Sequence, residues 1–344
     1  MAFKLTNNSG KNISHAGAGA GIYAQVKYYN LLILLAALLL APLLTGCFSQ
    51  IEGNQKKESV YSGVNYSGAG FTTDNKYAYY SRSKGGEANI YLRQLDATAE
   101  ISLTFDSSEN LCVRGGVFGG NILFSSNKTG AFRIYKMALN GTSPVDILRN
   151  VNYNFLDAAF SKNGQFVVFS AVQRTDSNYC QICTADTGGG NFKQITSTDS
   201  LKRKPTVSAD NTIVMFQKKV NNHWGLYYVD LKADDKIEHE FLVETNLDAF
   251  DPEFLSSNAQ SVKGAEEIIY LHGKIGVSVR MERSYMINKA VMVVKNFSNY
   301  YYFDQPAVSA DGSKVLFLQK IQSGNRFDVW KTDLNGTSFS QFSY

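Results

Sequence analysis

One pattern of residues recurs along most of the chain, and an internal repeat restricts the possible folds more than any other feature. Each copy has an apolar residue, a turn rich in Asn, Asp or Gly, a dense apolar run, and later a run centred on an aromatic residue. The apolar residue that begins each copy is Phe71, Val117, Phe160, Val207, Phe254 or Val308. Their spacing of about 47 residues indicates six units of one supersecondary structure.

The residues within one unit predict β-strands joined by tight turns. Asn163-Gly164 and Asp311-Gly312 favour the positive φ angles of hairpin turns between antiparallel strands. The run FVVFS at 166–170 is apolar at successive positions, so both faces of such a strand must be covered. Four-stranded blades stacked around an axis meet this need, because each blade lies between two others. We therefore predict an all-β, six-bladed β-propeller of four-stranded antiparallel blades. An open sandwich is the alternative, and it does not explain the period.

The repeat resembles the TolB-like propeller repeat (WD40-like, PD40), with a pattern of approximately D-x-x-P-x-F-S-P-D-G. The matching segments are 157–164 (DAAFSKNG), 204–210 (KPTVSAD) and 304–312 (DQPAVSADG). The second Pro of the pattern is replaced here, by Lys162 in the third unit. The fifth unit matches poorly. The resemblance implies a relative of the propeller module rather than an equivalent of TolB itself.

The amino-terminal residues predict a secretory signal followed by a lipid anchor. Residues 31–44 read LLILLAALLLAPLL, which is shorter than the ~20 apolar residues of a membrane-spanning helix. Lys27 precedes this run, as in a signal peptide. The following LTGC at 44–47 resembles the bacterial lipobox, which implies cleavage before Cys47 and covalent lipid at its thiol. A short signal anchor followed by a chance Cys is the alternative.

The predicted organisation has three parts. They are a cleaved lipoprotein signal peptide at 1–46, a lipidated tether at 47–59, and the propeller at 60–344. Phe48, and not Asp, follows Cys47. By the sorting rules of lipoproteins in Gram-negative bacteria, this implies anchoring in the outer membrane, facing the periplasm. The predicted contacts of the mature chain are therefore membrane lipid, through Cys47, and another envelope protein.

The distribution of charge argues against a nucleic-acid partner. The chain has 34 basic and 30 acidic residues, which gives a formal net charge of +4. Three of the basic residues lie in 1–46, where no acidic residue occurs, so the remaining chain is nearly neutral. No concentrated run of Lys and Arg is present, and binding to nucleic acid needs a basic face.

The sequence has no recognisable catalytic set. His223, His239 and His272 are not paired at metal-ligand spacing, and we expect them in loops or at the surface. Neither a G-x-S-x-G motif nor a Walker loop is present. We predict a protein that is not an enzyme and that has no cofactor or metal apart from the covalent lipid.

A Cys-x-x-Cys motif, Cys180 to Cys183, lies in the aromatic-centred strand of the third unit. Cys183 stands where Tyr135 and Trp330 stand in their own units. Residues three apart on a strand point to opposite faces, so an internal bridge needs a local turn. We predict structural thiols or a structural bridge. A redox or metal function is the alternative, although redox chemistry favours such a motif at the start of a helix.

Three acidic residues, Asp157, Asp251 and Asp304, occur near the start of the repeat and would lie near one rim of the ring. They either tie adjacent blades together or form a rim that binds a cation or a partner. The predicted function is a non-catalytic, membrane-anchored scaffold for protein interactions in the cell envelope. The alternative is a propeller that binds or processes a carbohydrate or small ligand in its central funnel.

Overall fold

The computed structural model describes residues 65–148, 152–176, 178–255, 266–275, 277–297, 301–321 and 326–343. The predicted signal peptide, Cys47 and the tether lie outside the described residues, so they stay predictions. Within the described residues, no helix is both long enough and apolar enough to span a membrane.

Six four-stranded antiparallel sheets occur in the described residues, one for each repeat, and the strands of each sheet pair in chain order. Blade 1 contains β1 (Asn65–Phe71), β2 (Tyr77–Lys84), β3 (Glu87–Gln94) and β4 (Glu100–Ser102). Blade 2 contains β5 (Asn110–Phe118), β6 (Asn121–Ser126), β7 (Arg133–Ala138) and β8 (Val145–Asp146). Blade 3 contains β9 (Tyr153–Phe160), β10 (Phe166–Gln173), β11 (Cys180–Asp186) and β12 (Lys193–Gln194).

The second half of the ring repeats this order. Blade 4 contains β13 (Lys202–Val207), β14 (Ile213–Val220), β15 (His223–Asp230) and β16 (His239–Leu242). Blade 5 contains β17 (Asp248–Phe254), β18 (Glu267–Lys274), β19 (Ser278–Tyr285) and β20 (Val291–Asn296). Blade 6 contains β21 (Tyr301–Val308), β22 (Lys314–Ile321), β23 (Asp328–Asp333) and β24 (Phe339–Gln341). The predicted fold, an all-β propeller with six blades, is confirmed.

The apolar runs lie between blades, as their pattern predicts. On β10, the buried Val167 packs in a cluster with Leu123 of blade 2. The next residue, Val168, points to the other face and packs with Val214 and Phe216 of blade 4. The core is therefore a series of apolar layers between neighbouring blades, and each blade depends on both neighbours for the burial of its faces.

The ring closes between blades 6 and 1 without exchange of a strand. Each of these two sheets is built from four consecutive strands of its own. Tyr66 and Tyr80 of blade 1 belong to one buried cluster with Leu316 and Phe342 of blade 6. The backbone N–H of Tyr66 also donates to the carbonyl of Phe327 at 3.2 Å. Apolar packing between complete blades thus closes the propeller.

Each inner strand contains a bulge at the same place in the repeat. The pairing register shifts there, and one residue adopts a positive φ angle. These residues are Gly68 (59°), Gly115 (63°), Asp157 (54°), Lys204 (56°), Asp251 (52°) and Gln305 (53°). Four of the six residues are not Gly, although residues other than Gly rarely adopt a positive φ angle. The bulge is thus a property of the ring rather than of one residue type.

Candidate functional site: the channel mouth

A cavity of about 330 Å³ lies where the inner strands of all six blades end. Its apolar wall includes Phe71, Val117, Phe118, Phe160 and Val308. Its polar wall includes Thr72, Thr73, Ser161, Lys162 and Glu253. Because every blade contributes to the lining, we call this cavity the channel mouth. An apolar wall with a few converging polar groups is the usual character of a binding pocket.

An ion pair joins two blades that are not neighbours at this mouth. The Nζ of Lys162 in blade 3 lies 3.6 Å from Oε1 of Glu253 in blade 5. The other carboxylate oxygen of Glu253 accepts a hydrogen bond from Oγ1 of Thr206 at 3.2 Å, in blade 4. The Glu253 side chain is 7% exposed and that of Lys162 is 25% exposed. Lys162 is therefore the more accessible partner, and it can turn towards an anionic group of a ligand.

The turn that carries Lys162 is fixed by its own side chains. Ser161 Oγ donates to Asn163 Oδ1 at 2.8 Å and accepts the backbone N–H of Phe166 at 3.0 Å. Gly164 completes the turn with φ at 69°, and a Cβ there would lie 2.0 Å from the ring of Phe118. The Ser and Gly of the repeat motif thus shape the wall of the channel mouth.

Asp157 lies at the bulge of β9, three residues before Phe160, and binds the next blade. Its Oδ2 accepts Nε of Arg203 at 2.5 Å and the backbone N–H of Lys204 at 3.2 Å. Ser170 Oγ donates to the same oxygen at 3.1 Å. Burial alone would raise the pKa of Asp157, but Arg203 and Lys204 hold this pKa well below its usual range. These contacts fit the alternative in which the acidic residues tie adjacent blades together.

Asp251 makes the same kind of contact between blade 5 and blade 6. Its Oδ2 accepts the backbone N–H of Gln305 in blade 6 at 3.0 Å. Its own N–H donates to Oε1 of Gln217 in blade 4 at 2.9 Å. Asp157 and Asp251 therefore occupy equivalent bulge positions, and each carboxylate accepts the amide of the equivalent residue in the following blade.

Asp304 does not occupy the position that the sequence comparison gave it. The positive-φ bulge residue of blade 6 is Gln305, so Asp304 precedes the equivalent of Asp157 and Asp251 by one residue. The motif of Asp157 and the motif of Asp304 differ in the number of residues between the acidic residue and the following Ser. A match by residue type therefore aligned the wrong residue. A role of these three residues in binding a cation or partner stays a prediction.

The two cysteines of the Cys-x-x-Cys motif are buried, and neither forms a disulfide. Cys183 packs against blade 2, in a cluster with Leu123 and Ile134. Cys180 Sγ donates to the carbonyl oxygen of Lys202 in blade 4 at 2.8 Å. The two thiols therefore point to opposite neighbours, as alternation along a strand requires. Burial raises the pKa of Cys183 to about 12, which keeps its thiol protonated at neutral pH.

The histidines differ from one another in burial, and the expectation of loops or surface is wrong for one of them. His272 is buried in β18, where its Nδ1 lies 2.9 Å from Oε2 of Glu282. His239 is exposed on β16 and stacks on Tyr228, and His223 is partly exposed on β15. In the described part of the chain, no three His, Cys, Asp or Glu residues are grouped so that they could hold a metal ion.

Sequence reasoning missed the charged residues of the channel. Lys162 and Lys204 lie within the motif segments, and Arg203 and Glu253 each precede a motif position by one residue. Only Lys162 gave a signal, because it replaces the Pro that the repeat pattern has at this position. The pairing of Lys162 with Glu253 joins the third and fifth units, and repeat spacing does not predict contacts between units that are not adjacent.

Six four-stranded blades around a channel define the class of this protein, a β-propeller. The sequence pattern of the PD40 family, the TolB beta propeller domain, matches residues 47–252. This match covers more than half of the chain, and the chain belongs to this family. No curated protein sequence matches the chain.

Solved structures with the same fold come from proteins of several kinds. TolB from Acinetobacter baumannii is 14% identical with a TM-score of 0.59, over 81% of this chain and 64% of that one. Oligogalacturonate lyase from Vibrio parahaemolyticus is 12% identical with a TM-score of 0.52, over 83% and 80%. A chain of a nidogen/laminin complex is 11% identical with a TM-score of 0.55, over 82% and 93%. At these identities the likeness shows the fold alone.

Proposed function

We propose that this chain is a non-catalytic lipoprotein of the bacterial cell envelope whose propeller is a scaffold for another envelope protein. In this proposal a lipid at Cys47 anchors the chain in the outer membrane, with the propeller in the periplasm. The lipobox-like LTGC at 44–47 supports the anchor, and membership of the TolB beta propeller domain family supports an envelope location. The observation that carries the scaffold function is the channel mouth.

The channel mouth has the properties of a docking point for a protruding segment of a partner. Its volume of about 330 Å³ accommodates a few side chains, at the lower end of the usual range for ligand pockets. Phe71, Phe118 and Phe160 offer apolar contact, and aromatic residues are enriched at interfaces. Lys162 and Glu253 supply one donor and one acceptor that would fix the orientation of the inserted segment.

Recovery of partners from gently solubilised envelopes tests the scaffold function. The unchanged chain should recover a stoichiometric partner protein. Lys162→Glu should abolish this recovery, because it places a second carboxylate beside Glu253 and removes the accessible cation. The matched control is Lys193→Glu, the same change of charge at an exposed residue of β12, far from the channel mouth in the sheet order. Repeated recovery of the chain alone, or equal recovery with both variants, would contradict the proposal.

Substitution of the proposed lipid attachment residue tests the anchor. Cys47→Ser should block processing or release the protein from membranes, because no thiol remains to be acylated. Ser49→Ala is the control, since it changes a neighbouring residue of the tether and leaves Cys47 in place. Membrane association of Cys47→Ser equal to that of the control would refute lipid anchoring at this residue.

A second candidate function is the binding or processing of a carbohydrate or small ligand at the same mouth. The exposed hydroxyl group of Thr73 beside the Lys162–Glu253 pair favours a small polar ligand. One relative by fold is an oligogalacturonate lyase, so oligogalacturonate is a suitable anionic probe. A rise of melting temperature with this probe that Lys162→Glu removes would favour the second candidate. Product formation would show catalysis and overturn the non-catalytic proposal.

A further inference from the structure

The outer strand of blade 5 is longer than the outer strands of the other blades. β20 has 6 residues, whereas β4, β8, β12, β16 and β24 have 2 to 4 residues in the described structure. A strand of this length spans about 20 Å at ~3.4 Å per residue. Among the described strands it pairs only with β19, so Val291–Val293 lie at an unpaired sheet edge, whereas the carbonyl of Val294 lies against Gly336 of blade 6.

The register shows that β20 also differs from the other outer strands in chemistry. Val293 of β20 pairs with Glu282 of β19. At the equivalent pairs of the other blades, the third strand has an aromatic residue or Cys and the outer strand has a polar residue. These outer residues are Ser102, Asp146, Gln194, Glu240 and Gln341. Blade 5 thus reverses the polarity of this pair: the third strand, β19, has a buried carboxylate, and the outer strand, β20, has an apolar residue.

The apolar residues of β20 are exposed at the edge of the propeller. Val291 is 53% exposed and Val293 is 48% exposed, and Ile287 just before the strand is also exposed. Val294, which follows Val293, is buried, as are its equivalents in the other blades. Native proteins usually protect a strand edge by making it short or polar, and the other blades do so. β20 is longer and is apolar at Val291 and Val293, and its protection is limited to the register shift at Val294 and to Lys295.

The charge around β20 is positive. Arg280 and Arg283 of β19 are paired, at 3.0 Å with Glu282 and at 3.2 Å with Glu267. Lys289 lies two residues before β20 and Lys295 is its fifth residue, and no carboxylate of the described residues pairs with either. Lys289 Nζ donates to the carbonyl oxygen of Phe241, and Lys295 lies over the ring of Phe339. Two cations therefore flank an apolar strand edge.

We propose that β20 is a second docking surface, where an extended segment of another protein adds as a fifth strand to blade 5. The segment has alternating apolar residues that contact Val291 and Val293, and acidic residues near its ends that meet Lys289 and Lys295. Strand addition of this kind takes affinity from backbone hydrogen bonds and specificity from alternate side chains. A second copy of this chain fits less well, because two such edges bring four lysines together. This surface is separate from the channel mouth.

Binding of a short designed peptide to the full-length chain in mild detergent tests this proposal. The probe is a labelled peptide EVTVTVE with blocked ends, and fluorescence anisotropy measures its binding. We expect saturable binding and at least tenfold weaker binding to the double variant Val291→Gln, Val293→Gln, which gives β20 the polarity of the other outer strands. The matched control is Val145→Gln, on the outer strand of blade 2, where Val145 is 49% exposed.

A change of charge distinguishes the proposed acidic segment from any apolar peptide. Lys295→Glu should weaken binding of EVTVTVE and strengthen binding of the peptide KVTVTVK. Equal binding of EVTVTVE to the double variant and to Val145→Gln would overturn the proposal, as would no saturable binding at about 1 mM peptide. Self-association of the chain that the double variant abolishes would also overturn it, since the occupant would then be a second copy.

Discussion

The inner and outer strands of this propeller differ in how strictly they repeat. All six inner strands have the same bulge and the same positive φ angle, whether the residue is Gly, Asp, Lys or Gln. The outer strands share a buried apolar residue at the position of Val294, and β20 differs from the others in length and in the polarity of the pair at Val293. The inner strands of neighbouring blades contact one another around the ring, whereas each outer strand lies at the outer edge of its own sheet. Constraint therefore decreases from the axis to the edge, and the edge is free to acquire binding functions.

The same comparison separates two kinds of polar residue. At the axis, Asp157 and Asp251 are used to hold one blade to the next. At the channel mouth, Lys162 is partly exposed and borders a cavity. Substitutions at the axis should therefore reduce stability most, and substitutions of exposed side chains at the mouth and the outer edge should change binding with little loss of stability.

The largest loss of stability is expected for Arg203→Ala. This change leaves the buried carboxylate of Asp157 without its guanidinium partner, and breaking a buried ion pair costs about 3–5 kcal/mol. Denaturant unfolding of the purified chain measures the loss. Lys193→Ala, at an exposed outer residue, should change the free energy of unfolding by less than about 0.5 kcal/mol. Similar small values for both variants would show that the axis is no more constrained than the edge.

A smaller loss is expected for Gly164→Ala in the turn that shapes the channel mouth. The added Cβ combines a positive φ angle with overlap of the Phe118 ring, and the two effects together cost about 2–4 kcal/mol. Gly120→Ala is the matched control, because φ there is 77° and no atom lies within 4 Å of the added Cβ. Its loss should be about 1–2 kcal/mol, from backbone strain alone. Equal losses in thermal unfolding would contradict the contact with Phe118.

The stability contributed by Asp157 should depend on pH in the acid range. Its folded-state pKa lies below the unfolded value of about 3.9, so the contribution is complete above that value. As the pH falls below about 4, the unfolded chain takes up the proton first and the contribution is lost. The difference in unfolding free energy between the unchanged chain and Asp157→Asn should therefore shrink between pH 5 and pH 2.

Cys183→Ala provides the comparison for this pH dependence. The pKa of Cys183 is raised to about 12, so its thiol is neutral throughout the acid range. Its unfolding free energy should differ from that of the unchanged chain by the same amount at every pH from 2 to 6. A pH-independent difference for Asp157→Asn as well would contradict a contribution of the carboxylate–guanidinium pair to stability.

The smallest effect on stability is expected for Val293→Gln at the outer edge. The side chain is half exposed, and the equivalent residues of blades 3 and 6 are already Gln. The free energy of unfolding should change by less than about 0.5 kcal/mol. A loss of more than 2 kcal/mol would mean that Val293 belongs to the packed core, and it would remove the basis for a docking edge on blade 5.

The sequence was sufficient to predict the architecture because the repeat is read from local residues. Turn residues and apolar runs predicted the strands, and the register confirms that Cys183 stands where Tyr135 and Trp330 stand in their blades. The same approach failed where the outcome depends on packing between units. Asp304 was aligned by residue type, but the bulge at Gln305 sets the true equivalence.

Charged contacts across the ring could not be predicted for a related reason. Lys162 and Glu253 belong to units that are not adjacent, and only the curvature of the closed ring brings them within 3.6 Å. The burial of His272 likewise depends on Glu282, which replaces the aromatic residue expected at that strand position. Local patterns determine which residues form strands. The Lys162–Glu253 contact depends on how six sheets close into one ring, and the His272–Glu282 contact depends on the register of β18 and β19 within blade 5.

The most direct test of the scaffold function is photo-crosslinking in intact envelopes. A photoreactive residue at Thr73, which is exposed at the channel mouth, should give one adduct of defined mass with another envelope protein. The same residue at Lys193, on the outer strand of blade 3, should not give this adduct. An adduct from Lys193 and none from Thr73, or no adduct from either, would contradict the proposal that the channel mouth binds a partner.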